Sequence, residues 1–163
     1  MAKNKTVLIT KNIADVLFHL KNTDEFQILA GCTGTDLSNL KTKCGSIRSI
    51  PELNVIEKHE SYIEYGSAVT ISKMISTGEG KLPEFFLDAL KSIGTEQIRN
   101  LATIGGNICA DKIKHTMWAP LLALNCRLEI KNPSETKYIQ FNKFDRIPDK
   151  SILTKIRIPL EEW

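Results

Sequence analysis

The feature that most constrains this 163-residue chain is an apolar run that leads directly into a loop of small residues. Residues 26–30 are mostly apolar and have the length of a buried strand. Before them, apolar side chains recur with the spacing of one buried helix face, at Ile13, Val16, Leu17 and Leu20. A shorter apolar stretch at 7–10 comes first, and Asn12 can cap the helix. The sequence therefore predicts a strand, a helix, a strand and then a glycine loop at 31–36.

This loop, Gly-Cys-Thr-Gly-Thr-Asp, has the chemistry of an anion-binding turn. Glycine lets the backbone approach a ligand closely and turn with positive φ, and consecutive N–H groups in such a turn form a concave anion nest. Thr33 and Thr35 can add hydroxyl donors. Asp36 would repel a phosphate, so we expect it to point away and to bond backbone N–H groups. A short glycine cluster also matches many ordinary turns, so the loop alone leaves both interpretations open.

A second segment of this kind lies at residues 103–107. Its sequence, Thr-Ile-Gly-Gly-Asn, predicts a second tight glycine turn, and asparagine tolerates left-handed geometry at Asn107. Two such turns in different subdomains can clamp one extended dinucleotide from both sides, although spacing alone does not require it. The first loop lacks the Gly-Lys-Ser/Thr of a P-loop and does not open a long helix as a GxGxxG loop does. The nucleotide folds with those fingerprints therefore fit poorly.

Strands mixed with helices continue along the rest of the chain, which predicts the α+β or α/β class. The pattern becomes irregular around Pro51, and we place a subdomain boundary near residue 56. The predicted subdomains are 1–56 and 57–163. Near the end, one strand face is predicted to carry Ile152, Thr154, Ile156 and Ile158. Strict alternation would then place Leu153 on the opposite face of that strand.

Composition and charge argue against several functional classes. The net charge is +3 and the lysines are spread along the chain, which argues against a nucleic-acid partner. The four cysteines form no CxxC pair, so we predict free thiols and no metal site. The three histidines have no catalytic partner nearby in sequence, and we name no catalytic residue. No segment has the length of a membrane span or the pattern of a signal peptide, so we expect a cytoplasmic protein.

Several stretches resemble one protein family. Residues 97–108 read Gln-Ile-Arg-Asn-Leu-Ala-Thr-Ile-Gly-Gly-Asn-Ile. This run resembles the Q-I-R-N-x-A-T-I-G-G-N-I signature of the flavoprotein subunits of molybdenum hydroxylases, of the xanthine dehydrogenase and carbon monoxide dehydrogenase type. Residues 30–37 are similar to that family's A-G-G-T-D-L loop. Residues 120–124 and 152–159 match further family stretches in the same order, so the resemblance covers nearly the whole chain.

The resemblance implies an FAD-binding domain of the vanillyl-alcohol-oxidase type, built of two α+β subdomains and lacking the family's C-terminal domain. It implies that both glycine segments hold the FAD diphosphate through backbone N–H groups. Ile93 matches an apolar flavin-site position, and Leu153 matches one that packs on the isoalloxazine ring. The predicted FAD residues are Ala30, Gly31, Cys32, Thr33, Gly34, Thr35, Asp36, Ile93, Thr103, Ile104, Gly105, Gly106, Asn107, Thr116 and Leu153.

The resemblance also implies partners and a direction of electron flow. Electrons would pass from a molybdenum-cofactor large subunit through a [2Fe–2S] small subunit to FAD, and then to NAD or another acceptor. The sequence departs from the family in a phosphate loop that is two residues longer. It also has Lys112 and Thr116 where the family has a serine and a carboxylate. Two alternatives therefore stay open: an assembly subunit that has kept the fold and lost FAD, and a stand-alone flavin- or nucleotide-binding module.

Overall fold

The computed structural model describes residues 5–110 and 116–160 and contains two β-sheets. The first sheet has three parallel strands in the order β1-β3-β2, with bounds β1 Thr6–Ile9, β2 Phe26–Leu29 and β3 Lys43–Ser46. Helix α1, Ile13–Asn22, connects β1 to β2. The predicted order of strand, helix, strand and loop is confirmed.

Helix α1 forms because both its cap and its apolar face are present in the local sequence. The side chain of Asn12 accepts the N–H of Asp15 at 2.8 Å, which satisfies one of the free donors at the helix start. Val16 and Leu17 are buried with Phe26 in the smaller of two apolar cores. Burying one such side chain contributes about 1.5–3 kcal/mol. This core holds β2 in place, and β2 leads into the loop at 31–36.

The second sheet has five antiparallel strands in the order β4-β5-β8-β6-β7. Its strands are β4 Ile56–Lys58, β5 Tyr62–Gly66, β6 Arg127–Lys131, β7 Thr136–Gln140 and β8 Ile152–Pro159. Its apolar side chains share the larger core with four of the remaining helices, namely α2 Ile71–Gly78, α3 Glu84–Lys91, α5 Ile104–Cys109 and α6 Trp118–Ala123. The short helix α4, Glu96–Arg99, has no buried residue. The α+β class is confirmed.

Charged side chains form an ion-pair network across β4, β5 and β8. Arg157 contacts Glu64 at 2.7 Å, and Lys155 contacts Glu57 and Glu64 at 2.8 and 3.2 Å. Glu57, His59 and Glu64 also bring metal-ligand atoms within 4.8 Å of one another. Because the ammonium of Lys155 already binds both carboxylates, we interpret this group as an ion-pair network.

The last strand departs from its predicted alternation because β8 contains a β-bulge. The register with β6 skips Thr154, whose hydroxyl donates to the carbonyl of Glu129 at 3.0 Å. One extra residue reverses the faces of the residues beyond it. Leu153 therefore joins the same buried core as Ile156 and Ile158. The prediction that Leu153 lies on the face opposite that row is wrong for Ile156 and Ile158, whereas Ile152 belongs to the smaller core.

All four cysteines are free thiols, as predicted. Cys32 is exposed and Cys109 is partly buried, whereas Cys44 and Cys126 lie in the interior. Burial raises the pKa of the Cys126 thiol far above its ordinary value, which keeps that sulfur protonated. Within residues 5–110 and 116–160, we find no helix with the length and apolar character needed to cross a membrane.

Candidate functional site

The loop at 31–36 lies against the segment that precedes α5. A Cβ atom at Gly31 would fall 1.9 Å from the carbonyl oxygen of Leu101 and 3.2 Å from the Cα atom of Ala102. A backbone cannot move aside as a flexible side chain can, so only glycine permits this approach. The two predicted glycine segments, although about 70 residues apart in sequence, are therefore brought together near the base of the first loop.

The first loop presents a run of unused main-chain donors. The N–H groups of residues 31–34 donate to no acceptor within the described residues. Thr33 and Gly34 are exposed, and a Cβ atom added at Gly34 would meet nothing within 4 Å. Successive open N–H groups on an accessible loop are the arrangement that binds anions in a backbone nest.

The left-handed residue of this loop is a cysteine rather than a glycine. Cys32 has φ 57°, whereas neither Gly31 nor Gly34 has a positive φ. The expectation that glycine supplies the positive φ of this turn is therefore wrong. The structure shows instead that the glycine at position 31 is needed for close packing against Leu101.

Asp36 turns its carboxylate away from the open donors. It accepts the N–H and the hydroxyl of Ser38 at 2.9 and 2.6 Å, and Asn39 donates to its other oxygen. These hydrogen bonds, with the Ser38 hydroxyl first, hold the pKa of Asp36 below its ordinary value. The expectation that Asp36 bonds backbone N–H groups is confirmed, with Ser38 as the donor. The N–H groups of residues 31–34 do not bind this carboxylate.

Residues 103–107 do not form the predicted glycine turn but the start of helix α5. Thr103 is the N-cap, and its hydroxyl oxygen accepts the N–H of Gly106 at 3.1 Å. The N–H of Asn107 donates to the carbonyl of Thr103 at 3.0 Å, as in a first helical turn. Neither Gly105, Gly106 nor Asn107 has positive φ. The prediction of a left-handed turn here is wrong because a capping threonine starts a helix instead.

The remaining main-chain donors of this segment are also used within the protein. Ile104 donates to the carbonyl of Val69 at 3.1 Å, and Gly105 donates to the carbonyl of Ser67 at 2.9 Å. A Cβ atom at Gly105 would lie 2.6 Å from that same Ser67 oxygen. In the second segment, glycine therefore serves mainly to pack α5 against residues 67–69, and the open N–H groups belong to the first loop.

Two further predicted residues lie beside α5. Thr116 is exposed and precedes Met117, whose N–H donates to the side-chain oxygen of Asn107 at 3.3 Å. Leu153 belongs to β8, which packs against α5, and its side chain is buried in the larger core. Lys112, where the sequence departs from the family, lies outside the described residues.

Ile93, the predicted apolar flavin-site residue, follows the end of α3. It is partly buried against the larger core, and no backbone hydrogen bond within the described ranges joins it to the loop at 31–36 or to α5. Its carbonyl accepts a hydrogen bond from Arg99 at 3.1 Å, and the same guanidinium nitrogen donates to the carbonyls of Lys91 and Gly94. Arg99 of the Q-I-R-N motif therefore ties the end of α3 to α4.

Ser67 is a buried residue that no sequence pattern singles out. This residue is 2% exposed, and its hydroxyl has no hydrogen-bond partner within the described part of the chain. It lies directly against Gly105. No periodicity or motif distinguishes a single serine after a strand, so only the tertiary structure reveals this buried hydroxyl beside the predicted FAD residues.

Two surface clefts lie away from these residues. They have volumes of about 410 and 480 Å³, share Arg127, and are lined by none of the predicted FAD residues. The predicted residues that stand open are instead on an exposed loop, across which an extended ligand can lie. A loop that binds a diphosphate through its backbone need not form a closed cavity. The position of these clefts is therefore independent of anion binding at residues 31–36.

Comparison with known proteins agrees with the sequence resemblance. The family described as the FAD binding domain in molybdopterin dehydrogenase matches residues 3–161. The xanthine dehydrogenase FAD-binding subunit of Escherichia coli O157:H7 is 31% identical over 150 residues, which cover 85% of this chain and 50% of that protein. Abscisic-aldehyde oxidase of Arabidopsis thaliana is 28% identical over 151 residues, covering 83% of this chain and 11% of that protein.

Solved structures show the same fold. Carbon monoxide dehydrogenase from Hydrogenophaga pseudoflava superposes with a TM-score of 0.88 at 19% identity, covering 99% of this chain and 61% of that chain. Quinoline 2-oxidoreductase from Pseudomonas putida 86 superposes with a TM-score of 0.87 at 15% identity, covering 98% of this chain and 61% of that chain. The chain thus spans 50% of the bacterial FAD-binding subunit and 61% of these structures. By its family match over residues 3–161, the chain belongs to the family of FAD-binding domains of molybdopterin dehydrogenases.

Proposed function

We propose that this chain binds FAD non-covalently and serves as the electron-transferring flavoprotein component of a molybdenum-containing hydroxylase or dehydrogenase. One observation carries the proposal: a run of unused N–H donors at residues 31–34, held against the start of the second glycine segment by the contact of Gly31 with Leu101. Membership in a family of FAD-binding domains supports the choice of cofactor.

The residues present fit the diphosphate of FAD. The first loop offers neutral donors, its one carboxylate is bonded elsewhere, and Thr33 and Thr35 add hydroxyls. Gly106 is exposed, and its N–H bonds to a rotatable side chain, which a phosphate oxygen can replace. We assign the loop residues 30–36 and the segment 103–107 to the diphosphate. Ile93, Thr116 and Leu153 remain proposals for the flavin end of the cofactor.

When bound, FAD supplies the capacity to accept and release electrons. The chain itself holds the cofactor, orients it and supplies donors, and it needs no general acid or base. The proposed partners are a large subunit with the molybdenum cofactor and a small [2Fe–2S] subunit, with NAD or another acceptor receiving the electrons. The division at residue 56 and the cytoplasmic location stay predictions.

A second function is favoured by one observation. All four N–H groups of residues 104–107 are bonded within the protein, so the second segment offers fewer donors than the sequence predicts. This suits an assembly subunit that keeps the fold without FAD. The absorbance of the purified chain after incubation with FAD and desalting separates the two functions. We expect a retained flavin band at about 450 nm, and its absence would favour the assembly subunit.

Replacing Gly34 by valine is expected to weaken FAD binding at least about tenfold, or 1.4 kcal/mol. A Cβ atom at this position meets nothing within 4 Å, so the fold should be retained. The β-branched side chain would however cover the donors of residues 31–34. Quenching of flavin fluorescence measures the affinity, and thermal unfolding checks the fold. Ser134→Val, in the exposed turn between β6 and β7, is the control and should bind FAD normally. Equal affinity of both variants would contradict the assignment of this loop.

Replacing Thr116 by aspartate is expected to tighten FAD binding about five- to tenfold, because a carboxylate would accept hydrogen bonds from cofactor hydroxyls. Thr116 is exposed and adjoins the residue that bonds to Asn107. Thr136→Asp, at the exposed start of β7, adds the same charge away from the proposed site. The same titration measures both variants, and an affinity unchanged by Thr116→Asp would remove residue 116 from the proposed site.

A further inference from the structure

The side chain of Ser67 is the one buried side-chain polar group within residues 5–110 and 116–160 that lacks a hydrogen-bond partner. Most buried polar groups are paired, and leaving one unpaired costs about 1–3 kcal/mol. Alanine would fill nearly the same space without this cost. A buried orphan hydroxyl therefore points to a group that completes its hydrogen bond.

The position of Ser67 relates this hydroxyl to the proposed FAD site. The main chain of Ser67 joins two segments of that site, because its carbonyl accepts from Gly105 and its N–H donates to the carbonyl of Thr154, each at 2.9 Å. A Cβ atom at Gly105 would lie 2.7 Å from the Cβ atom of Ser67, so the serine side chain packs directly on the first turn of α5.

The first turn of α5 has two consecutive positions without a side chain. Gly105 and the exposed Gly106 are consecutive glycines, and the nearest heavy atom to a Cβ atom at Gly106 is the hydroxyl of Thr103 at 3.0 Å. Glycine pairs also loosen a helix turn. The hydroxyl of Ser67 is covered in the free protein, so its contact with a ligand that lies on this turn requires the turn to open.

We infer that Ser67 is a positioning residue for FAD, whose hydroxyl hydrogen-bonds to the diphosphate side of the cofactor at the first turn of α5. This inference rests on the proposed function and adds a residue that neither the motif nor the family match assigns. The hydroxyl acts as a neutral donor to an anionic oxygen, and it gains in the complex the partner that it lacks in the free protein.

The test is the Ser67→Ala variant of the full chain, titrated with FAD and unfolded thermally without it. We expect the dissociation constant for FAD to rise about five- to tenfold, while the free protein is as stable as wild type or more stable. The control, Ser76→Ala, removes an exposed hydroxyl of α2 that bonds to the carbonyl of Lys73, and should leave FAD affinity unchanged.

Three outcomes would overturn the inference, and they are distinguishable. If wild type binds FAD and Ser67→Ala binds it equally well, the hydroxyl is an internal orphan and this inference alone fails. If wild type binds no FAD, the proposed function fails together with it. An unfolded Ser67→Ala variant would also count against the inference, because it would show that the hydroxyl stabilises the free chain.

Discussion

Replacing Gly31 by alanine is expected to destabilise the chain by about 3 kcal/mol, the upper part of the range for overpacked sites, and to abolish FAD retention. A single methyl group would lie 1.9 Å from the carbonyl oxygen and 2.7 Å from the carbonyl carbon of Leu101. Neither atom belongs to a flexible side chain, so the loop must separate from the segment that leads into α5. Denaturant unfolding of the free protein measures the first effect, and flavin absorbance after desalting measures the second.

Gly34→Ala is the matched control for this experiment. It adds the same methyl group three residues along the same loop, where nothing lies within 4 Å of the new atom. We expect its unfolding free energy to stay within about 0.5 kcal/mol of wild type, as for most surface substitutions. A Gly31→Ala variant that unfolds at the same denaturant concentration as Gly34→Ala would show that the loop does not pack tightly against Leu101.

Replacing Glu64 by alanine is expected to lower the unfolding free energy by about 2–3 kcal/mol, somewhat below the range for fully buried ion pairs because the cations are partly exposed. Glu64 is 5% exposed and binds Arg157 and Lys155 at 2.7 and 3.2 Å. Removing it leaves these two cations close together without the carboxylate between them. Arg157 also lies over the rings of Tyr62 and Tyr138, at 4.1 and 4.9 Å from their centroids, which holds it in place.

The same carboxylate predicts how stability depends on pH. Burial acts to raise the pKa of Glu64, but hydrogen bonds from Arg157 and Lys155 outweigh it and hold the pKa below its ordinary value of 4.5. The folded-state pKa is depressed, so the contribution of Glu64 is present above its unfolded-state pKa and is lost as pH falls through the folded-state value. The stability difference between wild type and Glu64→Gln should therefore be largest near neutral pH and shrink in acid.

Glu57→Gln is the control for the network. Its side chain is 44% exposed and, among residues 5–110 and 116–160, forms an ion pair with Lys155 alone, so its removal should cost less than about 1 kcal/mol. Urea unfolding at neutral and acidic pH measures the loss of unfolding free energy in the Glu64 and Glu57 variants. If replacing Glu57 lowers the unfolding free energy as much as replacing Glu64 does, general charge balance rather than the buried carboxylate stabilises this sheet.

Much of the fold follows from local sequence patterns. The helix at Ile13–Asn22 has its cap and its buried face within one short stretch, and both appear in the structure as predicted. The same holds for the strand that leads into the loop at 31–36. The order of these elements and the α+β class depend on such short-range signals. The Q-I-R-N to G-G-N-I run was long enough to predict the family.

The segment 103–107 shows where a local pattern was misjudged. A glycine pair followed by Asn107 suggested a turn, yet the helix is started by the hydroxyl of Thr103 capping Gly106. A threonine three residues before its N–H partner is a capping signal that the sequence already contains. The outcome was decided by carbonyls of residues 67 and 69, which accept the first two N–H groups of this segment.

The sequence by itself determined the buried face of α1, the strands β1 and β2, the fold class and the positions of the two glycine segments, because these depend on residues within one or two turns of each other. Only the tertiary structure decided that Gly31 serves a contact with Leu101, that a bulge at Thr154 turns Leu153 into the core, and that Ser67 has a buried hydroxyl without a partner. Each of these features depends on atoms that are distant in sequence. A repeat of apolar residues shows which face of an element is buried, but it does not show which backbone atoms that face will meet.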